Sequence, residues 1–314
     1  MNSIDKIVSS VLEEDNKPKK YNVLFTPRRV KQRVNNILRI LQQEHIEGDL
    51  DLSYIPVTDL GNLKSITGDL DLRNTSITSL GSLKSVGGNL NLYDTPITNL
   101  GSLESVGGYL NLSYTPITSL GSLESVEGYI RLSYTPIIDL GSLKSVGGFL
   151  DLFNTPITSL GLLKSVGDYL NLPDTPITDL GSLESVGGWL DLRNTPITSL
   201  GSLKSVDGYL DLQGTPITDL GSLESVGGWL DLRNTPITSL GSLKSVDGDL
   251  HLSGTHINDL GSLERVGGGL DLRNTSITNL GSLQSVGRVI INRNSKLDIN
   301  SLSEYFKYKL GIEY

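Results

Sequence analysis

Carboxylates recur in this chain on a fixed count: Asp151, Asp191, Asp211 and Asp231 all fall on multiples of a twenty-residue interval. Paired carboxylates are the machinery of glycoside hydrolysis, but that chemistry needs one acid and one base held in different environments. Many near-identical surroundings provide no such asymmetry, so no catalytic residue is expected. The rest of the catalytic repertoire is thin. Cys is absent, which removes thiolate nucleophiles, disulfides and Cys-ligated zinc together. His45, His251 and His256 form no metal-ligand spacing, and the Ser and Thr columns offer hydroxyls without a base. No metal, no cofactor and no enzyme activity are expected.

Recognition chemistry is better represented. Two positions before each aspartate of that row, seven successive intervals carry an aromatic: Tyr109, Tyr129, Phe149, Tyr169, Trp189, Tyr209 and Trp229. The same column holds Asp49, Asp69 and Asn89 before them and Asp249 and Gly269 after them. Tyr and Trp give large contact area at small entropic cost and dominate binding hot spots. A purely structural reading competes with this, because stacked cross-strand rings contribute about 0.2–1 kcal/mol per pair. Asp151, Asp191, Asp211 and Asp231 lie beside the rings, and Asp191, Asp211 and Asp231, in successive coils, would repel one another. A basic partner or a bound cation would relieve that repulsion; so would Arg193, Arg233 and Arg273, each two residues beyond an aspartate.

The elements that position these columns follow from the repeat. A unit such as GGYLNLSYTPITSLGSLESV recurs twelve times between Glu47 and Val286 without an insertion. Its apolar columns run through Leu110, Leu112, Ile117, Leu120, Leu123 and Val126 and their equivalents; nearly everything else is Gly, Ser, Thr, Asp, Asn, Pro or Lys. The Leu110/Leu112 alternation predicts a short half-buried strand. The spacing of Leu100, Leu103 and Val106 predicts a 3₁₀ turn on the back. One coil cannot bury its own leucines, whereas stacked coils share a continuous core. Residues 175–208 and 215–248 are identical, the mark of a duplicated two-coil block.

This pattern, x-Leu-x-Leu-x-x-Thr-x-Ile-x-x-Leu-Gly-x-Leu, resembles the leucine-rich repeat in its shortest bacterial and phage form, including secreted effectors with a helical N-terminal cap. The resemblance implies an α/β repeat: a solenoid with a parallel sheet on the concave side, a 3₁₀ or irregular convex side, and binding on the concave sheet. Thr75 through Thr275 stand where the family has Asn, and their hydroxyls are expected to satisfy backbone groups of adjacent turns.

The expected domains are a helical N-terminal cap over 1–46, the solenoid over 47–288, and a last strand with a helical cap over 289–314. Thr26-Pro27 opens a predicted helix to about residue 44, and Ser301 to Leu310 a closing one with Leu302, Phe306 and Leu310 as its apolar stripe. The Lys/Glu column from Lys64 to Glu264 alternates in sign and is read as pairing between coils. Residues 17–39 hold eight basic and no acidic residues, which is read as the solvent side of a cap; nucleic acid is not the expected partner. The expected partner is a protein or peptide of some basic character, with a glycan (host attachment) or a spacer role in an assembly as alternatives. No membrane span and no signal peptide are read, which fits a cytoplasmic, non-Sec-secreted or virion-associated protein.

Overall fold

The computed structural model describes residue 37 and residues 39–313. The predicted helices before residue 37 lie outside the described residues; residues 37, 39 and 40 are helical, and Ile37 and Leu41 are buried. The chain divides into two compact units, one ending at Leu143 and the other beginning at Lys144.

Each unit is a stack of twenty-residue coils joined by parallel pairing. In the first, His45–Ile46 pairs with Ser65–Ile66, and the row continues through Ser85–Val86 and Ser105–Val106 to Ser125–Val126. A second row runs from Leu50–Asp51 to Ile130–Arg131. In the second unit the two rows start at Ser145–Val146 and Leu150–Asp151 and converge on the continuous strand Arg265–Asp271. Leu190 faces Leu170 and Leu210, each partner twenty residues away. The six apolar columns are buried in every coil; Leu190, Leu192, Ile197, Leu200, Leu203 and Val206 expose 1 % or less.

The back of the coil differs from the expected 3₁₀ turn. Leu103 N–H donates to Leu100 O at 3.2 Å, and Gly101 alone between them has positive φ (62°), the pattern of a type II′ turn. Val106 then belongs to a strand, Ser105–Val106. Spacing by threes arose from a tight turn followed by extended chain. Thr hydroxyls also act differently from expectation: Thr195 Oγ1 donates to Leu192 O of its own coil at 2.7 Å, as Thr95 does to Leu92 O. They close the turn at the strand end rather than tying neighbouring coils. That turn needs a left-handed residue just before the Thr. Asn194 (φ 57°) and Gly214 (φ 75°) fill the position, as local side-chain hydrogen bonding and the missing Cβ respectively allow.

A second period lies on top of the first. Ser159 and Asp179 form a β-bridge, as do Ser199 and Asp219. Their side chains bond as well, Ser159 Oγ to Asp179 Oδ2 at 2.9 Å and Ser199 Oγ to Asp219 Oδ2 at 3.1 Å. No such bridge joins Asp179 to Ser199 among the described residues. Coils are therefore coupled in pairs along this edge, which matches the two-coil length of the duplicated block.

At the C-terminus the closing element is not the ten-residue helix expected. A 3₁₀ turn, Ile299–Ser301, and a short helix, Glu304–Lys309, lead into a strand, Leu310–Glu313, that pairs in parallel with Ser285–Asn292. Leu302 is buried, while Phe306 and Leu310 are only partly so. Tyr305 Oη donates to Val286 O at 2.9 Å and accepts from Val286 N–H at 3.1 Å, taking the place of a next coil's backbone. Backbone edges left open invite pairing with another chain, and the tyrosine occupies this one.

Pairing of coils makes two glycines unequal. Gly181 and Gly201 both have positive φ, so Ala strains either. A Cβ on Gly181 would overlap Gly161 O, whereas one on Gly201 meets nothing within 4 Å. Gly201→Ala is expected to cost about 1 kcal/mol and Gly181→Ala clearly more, measured as the difference in urea unfolding midpoint.

Candidate recognition surface

The strand period decides which side chains leave the core. With Leu190 and Leu192 buried, the residues flanking them point away from the leucine core, Trp189 into solvent and Asp191, like its equivalent Asp231, covered by its neighbours, and register places each beside its equivalents in adjacent coils. In the second unit, Trp189 lies edge-on to Tyr169 at 6.0 Å and tilted against Tyr209 at 5.0 Å; Tyr209 stacks on Trp229 at 4.8 Å. Trp189 is the ring that protrudes, 54 % exposed. Phe149 is half-exposed at the start of this row. In the first unit Tyr109 and Tyr129 stack at 5.0 Å, with the Arg131 guanidinium 5.1 Å from the Tyr129 ring centre.

These rings replace a hydrogen bond. Where the column is Asp or Asn, its side chain accepts the N–H of the next coil: Asp49 from Asp69, Asp69 from Asn89, Asn89 from Tyr109, and Asp249 from Gly269. The N–H groups of Tyr209 and Trp229, preceded by a ring instead, have no such acceptor among the described residues. A net hydrogen bond contributes about 0.5–1.5 kcal/mol and an aromatic pair about the same beyond its area. The exchange is close to neutral in stability, so stability alone does not explain why successive coils keep rings.

Beside the rings, the carboxylates sort into two kinds. Asp191 takes Arg193 Nε at 2.9 Å and Nη2 at 2.6 Å. Asp231 is paired with Arg233 in the same way, and Asp271 with Arg273 at 2.9 and 2.6 Å. In the first unit Asp71 and Arg73 repeat the arrangement. The neutralising role foreseen for these arginines is thus present at Asp191 and Asp231. Asp151 accepts from Phe153 N–H and from Asn171 Nδ2, at 3.1 and 3.0 Å. Asp211 differs from them because Gln213 stands where its neighbours have Arg. Its Oδ1 accepts from Gln213 N–H at 3.0 Å, and its only ion pair among the described residues is with Arg193 Nε, 3.6 Å away and already bonded to Asp191.

Burial pushes the Asp211 carboxyl up, and the charges of Asp231 and Asp191 add to the effect, against the Gln213 N–H and Arg193. At Asp271, burial also acts upward, but the hydrogen bonds from Arg273 outweigh it and the net shift is downward. Tyr169 is raised by burial and by the carboxylates of Asp191 and Asp151. Tyr169, Trp189, Tyr209 and Trp229 enclose, with Asp191, Arg193 and Asp211, a cavity of about 290 Å³. On the back, Lys204 pairs with Glu184 at 2.7 Å and Lys244 with Glu224 at 2.8 Å, the cross-coil pairing expected of exposed, salt-screened groups.

Among the described residues no three His, Asp or Glu are grouped to hold a metal ion, and no helix is long and apolar enough to cross a membrane. Parallel strands in twenty-residue register over buried leucine columns make each unit a parallel solenoid of leucine-rich coils twenty residues long. Among solved structures, the chain is similar to YopM from Yersinia enterocolitica WA-314, at 14 % identity and a TM-score of 0.22 over 99 % of this chain and 100 % of that one. No protein-family model and no curated protein matches the sequence.

The two aspartates give opposite pH signatures. Asp271, lowered from 3.8, adds stability that is present above its unfolded value and is lost as pH falls through the folded one. Asp211, raised from 3.8, favours the fold below its unfolded value and loses that contribution as pH rises through the folded one. At pH 7, Asp211→Asn should raise the unfolding midpoint slightly, by less than about 1 kcal/mol, while Asp271→Asn lowers it. Unfolding midpoints compared at pH 7 and in mild acid, where the Asp211→Asn gain should shrink, check both signs.

Proposed function

We propose that this protein is a non-enzymatic recognition scaffold, and that its second unit holds a protein or extended peptide on the outward row Tyr169, Trp189, Tyr209 and Trp229 with Asp151, Asp191, Asp211 and Asp231 alongside. Phe149, and Tyr109 and Tyr129 in the first unit, belong to the same column and are candidates for further contacts. The observation carrying this reading is the exchange of an inter-coil hydrogen bond for rings, one of which protrudes with more than half its surface in solvent. A peptide fits such a row because clustered Tyr and Trp favour protein contacts. A glycan is less well served. Sugars lie on open ring faces, and Tyr209 has a neighbouring ring on both sides, at 5.0 and 4.8 Å.

The two tryptophans of the chain are Trp189 and Trp229, so tryptophan emission, excited beyond tyrosine absorption, reports on this surface alone. Selection of a random peptide library on the wild type should enrich sequences that shift this emission. They should not bind a variant with Tyr169, Trp189, Tyr209 and Trp229 all changed to Ser. Equal binding to both proteins, or emission changes produced only by oligosaccharides, would overturn the proposal.

A further inference from the structure

The ring-walled cavity of the second unit has a charge count that points to its occupant. Asp191, Arg193 and Asp211 line it, and the next coil adds the pair Asp231 and Arg233. Arg193 and Arg233 each make a two-nitrogen contact with the aspartate of their own coil. One negative charge is left over, and geometry assigns it to Asp211, whose coil carries Gln213 in place of the arginine. Its side chain is 17 % exposed, and it lines the cavity together with Trp189, Tyr209 and Trp229. The cavity, about 290 Å³, is at the small end of ligand sites and suits a single long side chain.

We infer that this cavity takes one lysine or arginine side chain of a bound peptide, its aliphatic stem against the Trp189 and Tyr209 rings and its charged head on Asp211. The inference rests on the recognition reading above and names the chemistry of the partner. Each part of such a side chain finds its match. The stem of a Lys or Arg is apolar and packs on aromatic surface while the head stays polar. The head meets a carboxylate whose desolvation is already met by the fold and whose burial raises its pKa, a penalty that a cation would relieve. Arg193, 3.6 Å away, and Arg233 in the next coil oppose a further cation; each is directed at the aspartate of its own coil, and the balance of the five groups remains negative. One cation, and not two, completes the site.

The repeat supplies its own control. Gln213→Arg copies the Asp–x–Arg arrangement of the coils on either side, so this variant should fold and should give Asp211 an internal counter-ion. Asp211→Asn removes the charge with little change of shape. The probes are short tetralysine and tetra-arginine peptides, their tetra-acetyllysine counterpart and a tetraglutamate peptide, read by tryptophan emission at low salt. Wild type should bind the two cationic peptides and neither of the others. Both variants should weaken that binding by at least about tenfold, the size of effect expected when a charged partner is lost, with near-native circular dichroism.

A wild type that ignores the cationic peptides, or variants that bind them as well as wild type does, would overturn the inference. The recognition reading has its own test: peptides from the random library that depend on the four rings but not on Asp211 would leave that reading standing while this one falls. If Gln213→Arg alone failed to fold, Asp211→Asn would still decide the matter.

Discussion

Everything in this molecule depends on coils being laid on one another without slip. A strand that shifted by one residue against its neighbour would turn the leucine columns outward and the polar columns inward. Register is held from several directions at once. Leu190 and Leu210 pair on the strand, the backbone of Lys204 bonds to that of Glu184, and glycines such as Gly187 lie so close to the coil before them that a Cβ would overlap Gly167 O. The glycines are therefore what allows the coils to stack so tightly at the corner between the two short strands. Because inward and outward positions alternate, the constraint that keeps leucines in the core also aligns whatever the outward columns carry. A row of rings or a row of carboxylates is a by-product of the fold; which residues occupy it is free to vary.

That freedom is visible in the coils themselves. Residues 175–208 and 215–248 are identical, yet Trp189 protrudes while Trp229 is half-buried. The sequence between them differs at few positions, and Gln213 is one that matters: it breaks the Asp–x–Arg rhythm and leaves Asp211 as the odd charge. The rings occupy a column that elsewhere supplies acceptors for the backbone of the next coil. Recognition chemistry thus enters this fold at positions where the hydrogen bond given up is small beside the apolar core.

Much of this was legible in the sequence, and the reasons for the remainder are physical. All six apolar columns identify themselves, because burial of leucine tolerates little else. The pairing of Asp191 with Arg193 could be foreseen from a two-residue separation on the same face of a strand. The 3₁₀ back could not be judged from spacing: a type II′ turn at Leu100-Gly101-Ser102-Leu103 followed by extended chain also puts apolar residues three apart. The Thr hydroxyls were assigned to adjacent coils by analogy, while the left-handed residue before each one brings the hydroxyl back to its own coil. The pairing of coils into doublets had a signal in plain view, the alternation of Ser159, Asp179, Ser199 and Asp219, which the strength of the twenty-residue period concealed. At the C-terminus an apolar stripe suited a helix or a strand equally, and the open edge of Ser285–Asn292 took a strand.

The most direct test of the whole account is a cysteine cross-linking experiment, since the chain has no cysteine of its own. Glu184 and Lys204 lie twenty residues apart on neighbouring coils, bonded through backbone and side chain, and strands about 4.8 Å apart are within reach of a disulfide. Glu184→Cys with Lys204→Cys should oxidise rapidly to an intramolecular disulfide, as should the other adjacent-coil pair, Glu184/Lys164, and the two-coil pair Glu184/Glu224 should fall far behind both. Faster closure of the two-coil pair Glu184/Glu224 than of Glu184/Lys204 would contradict the stacking on which the recognition surface depends.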